Sequence, residues 1–344
     1  MSAKSLIVIV SYNSQDFIEN CICSVAEQNY DDWFLVVVDN NSGDDTVKKI
    51  REFREINQGM AGSNFRLITL KRNIGFSRAV NHAVFNFISG EKKSLEKELK
   101  FLILLNPDIY LKQNALKELI STFRTGKNHR LPFKKTGAAG GLILDYKRNI
   151  IQHLGGRIED NFITSHIGYG KSYSKLKQEY RQKAGNKNGP GQAGDLRDVS
   201  YITGAFFATE FQLFKSIGGF DPGYRPLYFE ELDYCLKIKR TGRRVTVNYN
   251  STARHFEGAS VKKFSRNFYK YYHKNRIRCA VINLGFKNFF GKFVCSELAW
   301  LKNSATADQI LPVLYAYFLN FVFLPYNLII KIKNHLILNK LELK

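Results

Sequence analysis

Apolar runs of strand length alternate with amphipathic stretches through the first 110 residues. Residues 6–10 are a continuous apolar run ended by Ser11, Tyr12 and Asn13, and a helical pattern follows over 16–28. Residues 34–38 form a second run, ended by Asp39, Asn40, Asn41, Ser42 and Gly43, and 65–70 and 101–105 form a third and a fourth. Fully apolar strands separated by helices predict an α/β fold with a mostly parallel central sheet covered on both faces. In such sheets ligands bind beyond the carboxyl ends of the strands, where each run here turns polar. The charged stretch 91–100 predicts a solvated helix or loop. A helix is expected to start near the cap residue Asn114, a strand over 138–144, and a short helix over 211–217 before the turn at Gly218 and Gly219. The glycine-rich, polar and basic stretch 168–198 predicts a long, mobile loop. No internal repeat is visible.

A chain of 344 residues, 44% hydrophobic and 24% charged, has the composition of a folded protein. Its length suits one α/β domain with an appended segment. The 52 Lys and Arg against 30 acidic residues leave a net charge of +22, which favours a polyanionic surface, nucleic acid or anionic lipid. Cys21, Cys23, Cys235, Cys279 and Cys295 are few, odd in number and scattered, so reduced buried thiols are expected rather than a disulfide or zinc framework. The first apolar run has no small-residue cleavage site after it, so it is taken as a strand and a cytoplasmic location is expected.

Past residue 261 the character changes. Residues 262–278 carry seven basic side chains, none acidic, with Phe264, Phe268, Tyr269, Tyr271 and Tyr272 between them, and 310–330 has no charge but contains Pro312, Asn320, Pro325 and Asn327. We expect a helical C-terminal region (262–344) that lies on an anionic membrane surface with its Lys and Arg toward the headgroups, rather than a spanning helix. The preceding 1–261 are expected to form a catalytic domain, with a nucleotide-binding half at 1–110 and an acceptor-side half at 111–261.

The candidate chemistry starts with acids at strand ends. Neither a dinucleotide glycine loop nor a Walker sequence follows the first strand. A nucleotide bound here must therefore be read by side chains, with its phosphates held through a metal. Asp39 is placed to accept from a base or ribose, and Asp108 to supply a hard oxygen to Mg²⁺ or Mn²⁺; both are equally turn formers. Glu230, Glu231 and Asp233 fall within four residues at a helix start, where they serve either as dipole partners or as a general-base site. His255 precedes a glycine-containing turn and is either structural or an imidazole ligand.

Taken in order, these segments resemble the inverting GT-A glycosyltransferases of family 2, and among them the rhamnosyltransferase-like enzymes. The likeness runs from Leu6 to about Arg278. Residues 10–13 resemble VSYN, 38–42 VDNxS, Arg72 to Phe76 with Asn81 NxGFxxxxN, and Asn106, Pro107 and Asp108 the metal motif. Further on, 203–205 resemble SGA, 217–221 GGFD, 228–235 YFEDxDxC, and 255–260 HxxGxS. The resemblance implies that Ser11, Tyr12, Asn13, Asp39, Asn73, Asn106 and Asp108 bind the nucleotide side, that Asp108 and His255 hold Mn²⁺ or Mg²⁺, and that Glu231 is the catalytic base. Glu231 stands where the family usually has Asp, so Glu230 is a rival. Asp233 is expected to orient the helix or to pair with Arg254. Glu210 stands where relatives often have Arg, so a phosphate or acceptor contact is expected to be missing.

The implied partners are a dTDP- or UDP-sugar donor and a saccharide or lipid-linked saccharide acceptor, with no nucleic acid and an open oligomeric state. The expected reaction inverts the sugar's configuration in cell-surface polysaccharide synthesis. Alternatives are a sugar nucleotidyltransferase, which normally carries a glycine-rich basic loop after its first strand, and a non-enzymatic nucleic-acid platform built on the basic-aromatic stretch.

Overall fold

The computed structural model describes residues 4–57, 64–124, 134–183, 196–256 and 265–342. The first half is a β/α alternation: β1 (Ser5–Ser11), α1 (Ile18–Ala26), β2 (Trp33–Asp39), α2 (Thr46–Ile56), β3 (Phe65–Thr69), α3 (Phe76–Asn81) running into a π-helical segment, α4 (Lys93–Glu98) and β4 (Phe101–Leu105). Strands β1 and β2 are buried along their whole length, and β4 likewise, which is why they appear as unbroken apolar runs rather than alternating ones. Next come β5 (Ile109–Leu111), α5 (Ala115–Ser121), β6 (Thr136–Asp145), β7 (Ile151–His153), β8 (Gly156–Ile158), β9 (Thr164–His166) and α6 (Tyr173–Lys183). Then follow β10 (Leu196–Asp198), β11 (Phe206–Glu210), α7 (Phe211–Ile217), α8 (Glu230–Arg240) and β12 (Arg244–His255).

One sheet runs in the order β10-β12-β6-β11-β4-β1-β2-β3, with β5 on β12 and β7 on β6. The parallel order predicted by the apolar runs holds across β3, β2, β1 and β4. Beyond β4 the sheet is mixed: β11 pairs antiparallel with both β4 and β6, and β12 returns parallel to β6. Two apolar clusters cover the two faces of this sheet.

The expected loop over 168–198 is replaced at both ends by structure: Tyr173–Lys183 is helical and Leu196–Asp198 is a strand on β12. The helical spacing of Tyr173, Leu176 and Tyr180 is carried by only three positions in a strongly charged segment, and Tyr173 and Leu176 pack on the core. Gly185, Gly189, Gly191 and Gly194 lie outside the described residues. Asn114 does occupy the N-cap position of α5, but its side chain accepts from Asn29 (2.8 Å) instead of capping. The three cysteines Cys21, Cys235 and Cys279 are buried, whereas Cys295, expected in apolar surroundings, is exposed.

The C-terminal part is helical: α9 (Arg266–Asn283), a π-turn at Phe289–Val294, α10 (Cys295–Asn303), α11 (Ala307–Val322) and α12 (Leu324–Glu342). On helix α9 Arg266 is exposed and Lys270 and Lys274 are partly buried, but the last two basic residues face inward. Arg276 is fully buried in a fork with Glu297 (2.7 and 2.5 Å), and Arg278 is buried against Asp221 (2.5 Å). Phe268 and Tyr272 pack on Tyr228 and Phe229. The charge count had suggested a solvated face; burial with matched acids from distant segments reverses it, because a guanidinium is tolerated inside only when paired. Lys262, Lys263 and Phe264 lie outside the described residues.

The uncharged run 310–330 is split between α11 and α12. These helices are bent by 70° at the break, and among the described residues no single helix is long and apolar enough to cross a membrane, although this bent pair passes by length and composition. Pro325, in the first turn of α12, has no N–H to continue the ladder of α11. Asn320 and Asn327 face inward: Asn320 donates to the Lys274 carbonyl (3.0 Å) and Asn327 to Asn320 (3.3 Å).

Candidate active site

The carboxyl ends of β1, β2 and β4 lie side by side, and the residues following them build one edge of the site. Asp39 is 2% exposed. Its Oδ1 accepts from the Ser11 and Ser42 hydroxyls, and its Oδ2 from the Ser42 N–H (3.0 Å). Of its roughly four lone-pair positions three are used within the turn, which leaves one. Asn13 and Asn41 sit at positive φ (49° and 68°), a conformation asparagine tolerates better than most residues, and the Asn13 side chain accepts from the Gly43 N–H (2.9 Å). Asn73 Oδ1 accepts from the Asn40 amide (3.0 Å) and the Gly75 N–H (3.0 Å), so it builds the loop after β3. Tyr12 is exposed beside these loops. Ser11, Asn13, Asp39 and Asn73 thus shape the connected loops at the ends of β1, β2 and β3.

On the other side of β4, Asn106 donates its N–H to the Ala205 carbonyl (3.1 Å), which fixes the Asn106–Asp108 turn against β11. Antiparallel pairing of β5 with β12 then sets Ile109 opposite His255. This brings Asp108 Oδ1 to 3.1 Å from His255 Nε2 across 147 residues of chain. Gln152, which the sequence did not single out, orients the ring: its Nε2 donates to the His255 carbonyl (3.0 Å), so its Oε1 faces Nδ1 (3.0 Å). An Nδ1–H donating to that oxygen leaves the Nε2 lone pair toward the Asp108 carboxylate. Two electron-rich atoms at that separation need something positive between them, either a proton on the imidazole or a cation. The donor pair therefore fits a divalent ion. Among the described residues no third His, Cys, Asp or Glu completes a cluster, so such an ion would fill its shell from a diphosphate and water.

The third part is the elbow before α8. Tyr228 and Phe229 both have positive φ (79° and 77°), a strained conformation for aromatic residues that persists only where the surroundings impose it. Asn275 on α9 supplies that constraint, donating to the carbonyls of Leu227 (2.9 Å) and Tyr228 (3.1 Å). The elbow sends the two adjacent glutamates in different directions. Glu230 is 4% exposed with Oε2 unpartnered among the described residues, and burial, helped by the charge of Glu231, holds its carboxyl well above the usual range. Glu231 is half-buried and accepts from the Gly204 N–H (3.2 Å); burial raises it too, opposed by its backbone hydrogen bonds. A Cβ placed on Gly204 would sit 3.4 Å from the Phe76 ring and 3.9 Å from the Glu231 carboxyl carbon, so glycine keeps the space before that carboxylate open.

Asp233 points elsewhere. It is 1% exposed, paired with Lys237 (2.8 Å), and accepts from Asn283 (2.7 Å). The expected pairing with Arg254 does not occur, because Arg254 is at the far end of β12, donating to the Asp145, Tyr146 and Arg148 carbonyls. Glu210 lies at the opposite end of β11 from Ala205, on Lys135 (2.6 Å), so a phosphate or acceptor contact from that position is ruled out by the strand's direction. Glu257, Gly258, Ala259 and Ser260 lie outside the described residues. Asn81 clasps the Phe220 peptide through both its N–H and its carbonyl (3.0 and 2.8 Å), which ties α3 to the Gly218–Asp221 turn. Gln152 and Asn275 carried no sequence signal, since a single amide has no spacing to mark it.

A loop cluster at the ends of β1, β2 and β3, a carboxylate–imidazole pair and a glutamate beside an open glycine are thus carried by one α/β sheet, and the fold is of the GT-A type. Residues 6–133 match the family described as "Glycosyl transferase family 2". A Bacillus subtilis (strain 168) protein named as a teichuronic acid biosynthesis glycosyltransferase, TuaG, is 27% identical over 113 residues, covering 29% of this chain and 43% of that protein. The chain thus aligns with less than half of that relative's length. Among solved structures, GalNAc-T7 with UDP, GalNAc and Mn²⁺ superposes with a TM-score of 0.59 at 17% identity, over 82% of this chain and 48% of that one. Staphylococcus aureus TarS 1–349 with UDP-GlcNAc gives 0.54 at 15% identity, over 91% and 79%. The mannosyltransferase PcManGT of Pyrobaculum calidifontis, with GDP-Man and Mn²⁺, gives 0.52 at 15% identity, over 94% and 76%. At these identities the likeness is one of fold.

Proposed function

We propose that this chain is an inverting, metal-dependent glycosyltransferase that moves a sugar from a dTDP- or UDP-sugar, with rhamnose the first candidate, to a saccharide or lipid-linked saccharide acceptor. The observation that carries the reading is the Asp108–His255 pair, whose tautomer is set by Gln152, on the same sheet edge as Glu231 and Gly204. In this reading the loops of Ser11, Tyr12, Asn13, Asp39, Asn73 and Asn106 hold the nucleoside. Asp108 and His255 would hold Mn²⁺ or Mg²⁺, which supplies positive charge to the departing diphosphate. Glu231 takes the proton of the acceptor hydroxyl. That oxygen bonds to the anomeric carbon from the face opposite the diphosphate, the bond from carbon to phosphate oxygen breaks, and the nucleoside diphosphate leaves with inversion. Glu230, 4% exposed and held well above the usual carboxyl range by burial, is the less accessible acceptor, and Asp233 acts by fixing α8 through Lys237 and Asn283. The fold similarity to sugar-nucleotide complexes supports the donor class. Purified protein screened against a panel of sugar nucleotides with Mn²⁺ or Mg²⁺ should release a nucleoside diphosphate from one of them; silence across the panel in the presence of a polyprenyl-phosphate-linked saccharide would refute the reading.

We further propose that residues 262–344 hold the catalytic part, 1–261, to the inner face of the cytoplasmic membrane, through α11 and α12 rather than α9. Fourteen of the twenty large apolar side chains exposed among the described residues lie between Ile310 and Leu336, Phe318 and Phe321 being 63% and 77% exposed. Inward these helices bury Val313, Ala316 and Leu338 together with Asn320, Asn327 and Asn334, while outward they expose a continuous set of large apolar side chains, a surface that suits the headgroup–acyl boundary. Exposed Lys287, Lys292, Lys302, Lys333 and Lys340 are available to anionic headgroups. Membranes from expressing cells should release the protein into alkaline carbonate, and the double substitution Phe318→Ser/Phe321→Ser should shift it to the soluble fraction. Retention through carbonate indicates a span, and a wild-type protein wholly soluble at low salt refutes attachment.

A further inference from the structure

Where α11 bends into α12, a cavity of about 510 Å³ opens between the C-terminal helices and the segment that follows the Gly218–Asp221 turn. Arg78, Arg225, Lys274 and Arg278 line it, with Phe323 and Tyr326 at the helix bend. Four cations at one cavity need anions nearby, and the protein supplies one: Asp221, bonded to Arg278 (2.5 Å). Among the described residues no carboxylate pairs with Arg78, Arg225 or Lys274. Lys274 donates to the Arg225 carbonyl, and burial together with the neighbouring Arg278 pushes its ammonium down to about 8. Arg278 is 5% exposed, lies between the rings of Tyr224 and Tyr326 (5.2 and 5.5 Å), and has an Nε–H with no partner among the described residues. Arg78 and Lys274 are partly buried and Arg225 is exposed, so three cations face this cavity with no carboxylate of their own while the buried Arg278 holds Asp221, and an anionic ligand would supply the balance.

On one side the cavity reaches α3, the short helix whose Phe76 also borders Gly204 and Glu231, and on the other it reaches the apolar face. Arg78 is two residues beyond Phe76, whose ring borders the Gly204–Glu231 space, and a Cβ on Gly75 would meet the Pro226 carbonyl at 3.1 Å, so α3 and the Arg225–Tyr228 segment form one wall. On the other side Phe323 and Tyr326 are 54% and 45% exposed and continue into the outward apolar surface of α11 and α12. We propose that this cavity binds the phosphate or diphosphate of a lipid-linked acceptor, with Arg78, Arg225 and Lys274 on the anion and the lipid chain leaving over Phe323 and Tyr326. It rests on the glycosyltransferase reading for the word acceptor, and on its own geometry for the anion. The acceptor's sugar then reaches Glu231 from a fixed anchor, which accounts for a cationic cavity beside, and separate from, the nucleotide loops.

Calorimetric titration of the full chain with farnesyl diphosphate, inorganic pyrophosphate and farnesol tests this. Farnesyl diphosphate should bind at least about tenfold tighter than either half of itself, since each charge-assisted contact is worth about a factor of ten. Arg225→Gln and Lys274→Met should each weaken it by about tenfold, with thermal melts near wild type and hydrolysis of UDP-N-acetylglucosamine and dTDP-rhamnose no lower than in wild type. Equal binding of pyrophosphate makes this a free-anion site, equal binding of farnesol an apolar one, and full competition by phosphatidylglycerol vesicles a phospholipid headgroup site; each overturns the proposal, as does unchanged affinity in both variants. Should wild type bind farnesyl diphosphate through these residues yet hydrolyse no sugar nucleotide, the glycosyltransferase reading fails and the anion site stands.

Discussion

Glu231→Gln is expected to lower turnover by roughly two to four orders of magnitude with donor affinity nearly unchanged, because it removes a proton acceptor needed only in the transition state. The amide is isosteric and can still take the Gly204 N–H, so the fold should survive. The neighbouring glutamate is the control. Burial raises the Glu230 carboxyl well above the usual range, and a group that binds its proton more tightly when folded adds stability below its unfolded pKa that is lost as pH rises. Glu230→Gln removes that loss, so this variant should keep turnover and gain stability relative to wild type as pH rises above the ordinary glutamate range. The base in wild type has a raised carboxyl, so the acid limb of its pH–rate profile should lie above that same range. Steady-state kinetics and denaturant melts of both variants across pH decide the matter; a severe loss in Glu230→Gln with a mild one in Glu231→Gln reverses the roles.

Asp108→Ala should abolish transfer, by about three orders of magnitude or more, and remove the dependence of UDP binding on Mn²⁺ or Mg²⁺. Asp108→Asn keeps the shape of a side chain only 6% exposed and isolates the charge. Either variant removes the carboxylate that His255 Nε2 faces at 3.1 Å. Calorimetry of UDP binding with metal and with excess chelator reads the metal dependence. Full activity of Asp108→Ala, or of wild type in chelator, removes the metal from the mechanism.

The parallel strands β1, β2 and β4 were legible because strands buried on both faces need continuous apolar sequence, and the acids at their ends followed from that. So did the turn at Gly218 and Gly219, whose positive φ (91° and 74°) favours glycine. The order of short motifs fixed the fold class and named Asp108, His255 and Glu231 singly. What the sequence could not determine is anything that depends on which distant segments meet. Asp108 faces His255 only because β5 pairs with β12, and Gln152 matters only because β7 lies beside them. The ranking of Glu230 and Glu231 is a matter of burial, set by an elbow that Asn275 holds from 47 and 48 residues further on. Arg276 and Arg278, at the end of the basic run on α9, are the clearest reversal. Charge counting cannot distinguish a solvated arginine from one matched by Glu297 or Asp221, because the matching acid is supplied by tertiary packing and leaves no mark on the local pattern.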